Sequence, residues 1–127
     1  MRNPRQRLSF PPSSRLKSSA TIRRIVAGGP RLLRTGFSAH WLRGGEDAGS
    51  DPGTRIAFVV SRASGGACDR NRIKRRLREA ARLNRECWPA RTNVVLRARG
   101  IALARLPFDV LKEEMKQALR QIGESTR

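Results

Sequence analysis

The sequence predicts one small α+β domain whose elements run α-β-β-α-β-α, and three observations carry that reading. The chain has 127 residues of which 38% are hydrophobic, enough for one modest core and too few for two. Three segments alternate in the two-residue period of a strand with one buried face. Three others repeat apolar residues at the spacing of a helix that packs along one stripe.

The elements follow in order. Residues 1–14 carry Pro4, Pro11, Pro12, Ser13 and Ser14 and read as a flexible basic N-terminal segment, leaving residues 15–127 as the single domain. Ser18 and Ser19 offer an N-cap to a first helix bearing Ile22, Ile25 and Val26, which Gly28, Gly29 and Pro30 end. Residues 36–43 place Phe37, Ala39 and Trp41 on one face of a first strand, and residues 55–62 do the same with Ile56, Phe58 and Val60. The Gly-, Asp- and Ser-rich stretch 44–53 between them reads as a hairpin loop, with Glu46, Asp47 and Asp51 solvated. Asp69 is placed to cap a second helix running to about Glu86, closed by Trp88 and Pro89. In a third strand, residues 92–99, Val94, Leu96 and Ala98 alternate against Val95, Arg97 and Arg99. Pro107 then opens a last helix with Val110, Leu111, Met115, Ala118, Leu119 and Ile122 as its core stripe.

Lys and Arg number 28 against 10 Asp and Glu, a formal net charge of +18. The excess is localised. Residues 1–43 hold ten Lys or Arg and no acid, while residues 69–86 add eight basic groups to three acidic ones. Clustered cations of this kind favour a polyanionic partner, because phosphate neutralisation works where several positive groups face one backbone. No apolar run reaches the roughly 20 residues that span a bilayer, and the N-terminus lacks the apolar stretch of a signal peptide, so a cytoplasmic protein without membrane contact is expected. Cys68 and Cys87 flank one predicted helix, which at 1.5 Å per residue holds them roughly 28 Å apart. They form neither a disulfide framework nor a metal-ligand spacing. With one His and scattered acids, no paired carboxylates or His-centred catalytic site can be assembled, so no catalytic residue and no metal ligand is assigned.

The second helix is the most informative segment. At 100° per residue, Ile73, Leu77, Ala80 and Ala81 form one stripe, while Asn71, Arg75, Arg78 and Arg82 fall opposite, with Lys74 and Arg85 beside them. Its run RNRIKRRLRE, residues 70–79, resembles the signature helix of the protein component of bacterial ribonuclease P. The family pattern is an Arg-Asn-Arg, a Lys-Arg pair and a further Arg, here Arg70, Asn71, Arg72, Lys74, Arg75 and Arg78. Leu8-Ser9-Phe10-Pro11 with Arg15-Leu16 is similar to the start of proteobacterial members, and the likeness extends to about Ile122.

The resemblance implies a small mixed sheet packed by helices, with a left-handed crossover at the Arg-rich helix, as in the second domain of ribosomal protein S5. It implies that Arg70, Asn71, Arg72, Lys74, Arg75, Arg78 and Arg82 bind the catalytic RNA of ribonuclease P, one protein per RNA. The protein would bind no cofactor, Mg2+ belonging to the partner RNA, which cleaves the 5′ leader from precursor tRNA. A cleft between the sheet and the first helix would take the single-stranded leader, with Ile22, Val26, His40, Ser61 and Arg62 as candidate contacts. The family usually has aromatic rings where Ile22 and Val26 stand, and often a Tyr at the position of His40. Ile22 and Val26 also suit a core role, and His40 a purely structural one. Arg62-Ala63 and Gly65-Gly66 replace a Lys-Lys pair and a Gly-Asn of the family. Ser61 and Arg99 face sheet surfaces as further candidate RNA contacts.

The runner-up is a small basic ribosomal protein binding structured rRNA, distinguished by co-sedimentation with ribosomal particles. A helix-turn-helix DNA-binding protein would need a partner helix before the Arg-rich one across a short turn, and a strand precedes it instead.

Overall fold

The computed structural model describes residues 14–43 and 54–125. Helix α1 (Ser19–Gly28) begins where Ser18 accepts a hydrogen bond from the Thr21 amide at 3.2 Å and ends where the Gly29 amide bonds the Ile25 carbonyl at 2.9 Å. Strands β1 (Arg31–Arg34) and β2 (Phe37–Arg43) form a hairpin, followed by β3 (Arg55–Val59), α2 (Ala67–Leu83), β4 (Thr92–Ala98), the short helix α3 (Ala102–Arg105) and α4 (Phe108–Ser125). The three predicted helices and three predicted strands are all present. Strand β1 and helix α3 are additions.

The sheet is mixed, in the order β1-β2-β4-β3, with β3 parallel to β4 and the other pairs antiparallel. This corrects the hairpin expected between β2 and β3, which are separated by β4; the loop of residues 44–53, with Glu46, Asp47 and Asp51, lies outside the described residues, as do residues 1–13. The reason is visible in β4, where Val94, Val95 and Leu96 are all fully buried. An apolar run covered on both faces belongs inside a sheet, so β4 takes a neighbour on each side, and its parallel partner is reached through the crossover helix α2.

Each face of the sheet carries its own apolar cluster. One face, with Phe37, Ala39, Trp41, Ile56, Val94, Leu96 and Ala98, packs against Ile73, Leu77, Ala80 and Ala81 of α2 and Leu111, Met115, Ala118, Leu119 and Ile122 of α4. These are the helical stripes read from the sequence, save that Val110 is exposed. The opposite face is smaller: Ala57 and Val95 pack with Leu16 and Ile25, and Ile22, Val26, Leu42 and Val59 close around them. Helix α1 thus covers only part of that second face.

Local chemistry explains the shifted ends. Helix α2 starts two residues before Asp69, with Gly66 as N-cap and Asp69 in the first turn, its carboxylate folded over Gly65, whose φ of 123° and lack of a Cβ leave room for it. It stops at Leu83 because Asn84, 2% exposed, donates from its side-chain amide to the Ala80 and Lys112 carbonyls, both at 2.9 Å, tying the helix end to α4. The β1-β2 turn is Thr35-Gly36, with Gly36 at φ 81° against Leu103. Glu114 of α4 clamps that turn, accepting from Arg34 at 2.6 Å and from the Thr35 amide at 3.3 Å. Burial opposes ionisation of Glu114, but those hydrogen bonds and the Arg34 charge outweigh it and leave its pKa below the usual value.

Candidate nucleic-acid interface

Two cationic surfaces lie on opposite sides of the sheet. The first is the outer face of α2. Because its apolar stripe is fully buried, helical geometry turns the remaining residues outward: Asn71, Arg72 and Arg75 are exposed, and Lys74, Arg78 and Arg82 are half-buried along the flanks. Six of the seven predicted residues share that outer face, whereas Arg70 lies on the line of the buried stripe at the helix start. They are not equivalent. Arg82 is bound to Glu79 by two guanidinium contacts, and this bonding raises its pKa further. Arg78 is shifted the other way by desolvation and by the charge of Arg15, which stands beside it. Arg85, expected beside the ridge, lies past the helix end with its guanidinium 5.6 Å from the Trp88 ring.

Arg76 was not singled out in the sequence, yet it shapes this surface. Its guanidinium donates to the Leu106 carbonyl and stands 5.8 Å from the centre of the Phe108 ring. Asn71, Arg72, Arg75, Arg76, Glu79, Cys68 and Phe108 together line an open groove of about 910 Å³ between α2 and the start of α4. No pattern local to α2 could have shown it, because both contacts of Arg76 come from residues some thirty positions later.

The second surface is the part of the sheet that α1 leaves uncovered. Alternation puts Arg31 and Leu33 of β1, Ser38 and His40 of β2, and Arg97 of β4 on that face, and the antiparallel register sets Arg31 opposite His40, Leu33 opposite Ser38, and Ser38 opposite Arg97. With Ser61, Arg99 and Gly100 at the rim, they line a cleft of about 430 Å³. Among the predicted cleft residues, His40 forms part of its lining and Ser61 part of its wall. Ile22 and Val26 instead pack half-buried in the small cluster under α1, and Arg62 is exposed in a single helical turn after β3. The predicted strand through Arg62 in fact stops at Val59. Arg31, Leu33, Ser38 and Arg97 were missed as a group. The phase of Arg97 with Val95 was legible, but β1 was not, and without it nothing brings Arg31 to His40.

His40 is 4% exposed, its Nε2 is 3.0 Å from the Ser38 hydroxyl, and its Nδ1 is buried without a hydrogen-bond partner among the described residues. Burial, then the charges of Arg97 and Arg31, hold its pKa below the usual 6.5. Among the described residues no group of three His, Cys, Asp or Glu side chains could hold a metal ion, and no helix is long and apolar enough to cross a membrane. Cys68 is exposed and Cys87 half-buried, both as free thiols.

The family model described as Ribonuclease P matches residues 10–123. A ribonuclease P protein component of a Nocardioides species is 38% identical over 109 residues, covering 86% of this chain and 91% of that protein. That of Mycolicibacterium vanbaalenii is 33% identical over 120 residues, covering 92% and 96%. Among solved structures, the RNase P protein of Thermotoga maritima superposes with a TM-score of 0.70 at 27% identity, over 84% of this chain and 96% of that one. The Staphylococcus aureus RNase P protein shares the fold, with a TM-score of 0.69 at 20% identity over 86% and 94%.

Proposed function

Because the chain belongs to the bacterial ribonuclease P protein family, we propose that its α2 ridge binds the catalytic RNA of that ribonucleoprotein, one protein per RNA, while the cleft on the other face of the sheet holds the 5′ leader of precursor tRNA. The observation that carries this reading is the ridge itself: Asn71, Arg72, Lys74, Arg75, Arg78 and Arg82 directed outward by a fully buried apolar stripe, on a chain of net charge +18. A folded RNA presents phosphates at close spacing, and guanidinium groups at helical spacing neutralise them with release of counterions. The cleft suits a single strand, being open and lined by Arg31, Arg97 and Arg99.

In this reading the protein is not the catalyst. Bond cleavage belongs to the RNA and to magnesium ions held by it, and the protein's residues act by binding and orienting. Arg72 and Arg75 reduce the repulsion between catalytic RNA and precursor, and Arg31, Arg97 and Arg99 hold the leader. The working site is the cytoplasm. The test is cleavage of a labelled precursor tRNA at low magnesium by ribonuclease P RNA alone, by this protein alone and by both. Strong cleavage with both and none with protein alone is expected. Failure to stimulate an RNA that another family member stimulates would overturn the assignment, and cleavage by the protein alone would move catalysis onto it.

A further inference from the structure

The lining of the sheet cleft is chemically one-sided. Three arginines, Arg31, Arg97 and Arg99, and two hydroxyls, Ser38 and Ser61, face it, and among the described residues it has no carboxylate and no Phe, Tyr or Trp on which a base could stack. That donor set matches a phosphate of the strand rather than its bases. Beneath it lies His40, almost wholly buried, bonded through Nε2 to Ser38 and with Nδ1 unpartnered among the described residues. A buried imidazole with an unmet nitrogen beside two arginines is costly to charge and serves no packing need that a Leu would not.

We propose that the cleft holds a phosphate of the single strand through Arg31, Arg97 and the Ser38 hydroxyl, and that its occupation favours protonation of His40. This rests on the leader reading above and adds its coupling to pH. The Ser38 hydroxyl has one hydrogen to give. When Nε2 is a bare acceptor, that hydrogen is held by the ring and the hydroxyl turns lone pairs toward the cleft, which suits no anion. When Nε2 carries a hydrogen it donates to the Ser38 oxygen, and the hydroxyl hydrogen is free for a phosphate oxygen. The neutral Nε2–H tautomer does this without charge, whereas the imidazolium also sets a positive charge beneath the anion, so a bound phosphate favours the imidazolium. The charges that face His40 decide which state prevails. Arg31 stands opposite it on β1 and Arg97 lies one step along β4, next to Val95; α1 presents Ile22, Ile25 and Val26 to this side of the sheet while its Arg23 and Arg24 are exposed. In the empty cleft both facing charges oppose a third, and burial adds to them. A phosphate neutralises the arginines, so the ring regains its affinity for a proton. His40 is thus a positioning residue acting through Ser38.

His40 is the chain's sole histidine, so its imidazole resonances report one site without ambiguity. The experiment titrates the full-length protein by NMR, free and saturated with a short single-stranded oligoribonucleotide lacking terminal phosphates, and measures affinity by fluorescence anisotropy across the same pH range. The pKa of His40 is expected to rise by about one unit on binding, and affinity to tighten by up to about tenfold between about pH 7.5 and about pH 5.5. His40→Gln keeps an amide able to bond Ser38 but cannot gain charge, and its affinity should be flat over that range. Binding that leaves the His40 pKa unmoved, or a pH slope that survives in His40→Gln, overturns the coupling while leaving the leader site standing. Absence of any binding, with equal holoenzyme affinity for precursor and leaderless tRNA, overturns the leader reading and the coupling with it.

Discussion

His40 makes the fold sensitive to acid even without a ligand. Its pKa lies below the ordinary value of about 6.5, so as pH falls through that value the unfolded chain binds a proton that the folded chain does not. Stability therefore declines from neutral pH toward the lowered pKa. Urea unfolding midpoints above and below that window should fall less with acid for His40→Gln than for the unaltered protein; equal falls would show that the ring does not titrate against folding. Arg76 and Arg72, four residues apart on α2, separate in the same way. Arg76 is held by the Leu106 carbonyl and the Phe108 ring, so Arg76→Ala should cost about 1–2 kcal/mol in urea unfolding. Arg72 is exposed, so Arg72→Ala should leave stability within about 0.5 kcal/mol and weaken RNA binding instead.

Helix α2 joins the two functions of the chain, since its inner stripe builds the core and its outer face carries the ridge. Its end is defined by Asn84, whose side chain bridges the Ala80 and Lys112 carbonyls. Asn84→Ala removes both bonds of this buried tie and should cost about 1–3 kcal/mol, read from the urea midpoint. A midpoint unchanged by that substitution would show that the tie between α2 and α4 carries no stability. On the outer face, Arg75→Glu combined with Arg78→Glu should abolish the gel shift of ribonuclease P RNA at protein concentrations that saturate the unaltered chain. The circular dichroism spectrum should stay the same, because neither side chain joins the buried stripe. Strand β1 shows how an element escapes a reading by pattern. Arg31-Leu32-Leu33-Arg34 has four residues, follows a helix-ending Pro, and alternates too briefly to stand out. The cue was the Thr35-Gly36 turn, a two-residue hairpin signal in front of the stronger strand.

Across the chain, the +18 charge predicts binding to RNA that weakens steeply with salt, and the slope of log affinity against log salt should shrink by about 0.7–0.9 for each ridge arginine changed to Ala. A slope untouched by Arg72→Ala and Arg75→Ala would place the RNA elsewhere. The ridge was legible in advance because a helix fixes its own periodicity: once Ile73, Leu77, Ala80 and Ala81 are assigned inward, the outward angles of Asn71, Lys74, Arg75, Arg78 and Arg82 follow from 100° per residue, while Arg70 and Arg72 entered through the family resemblance. The family likeness rested on the same run. The same local logic located α1, β2, β3, β4 and α4 to within a few residues, since capping, turn chemistry and alternation act over neighbours in the chain. Strand order had no such local cause. Whether β2 meets β3 or β4 depends on which strand has both faces covered, and that is set by α1 packing Leu16, Ile25 and Val95 from one side while α2 and α4 cover Val94 and Leu96 from the other. The cleft is a product of that order. Arg31, Ser38, His40 and Arg97 come from three strands, and hydrogen bonding between β1, β2 and β4 brings them together across separations that no spacing in the sequence encodes.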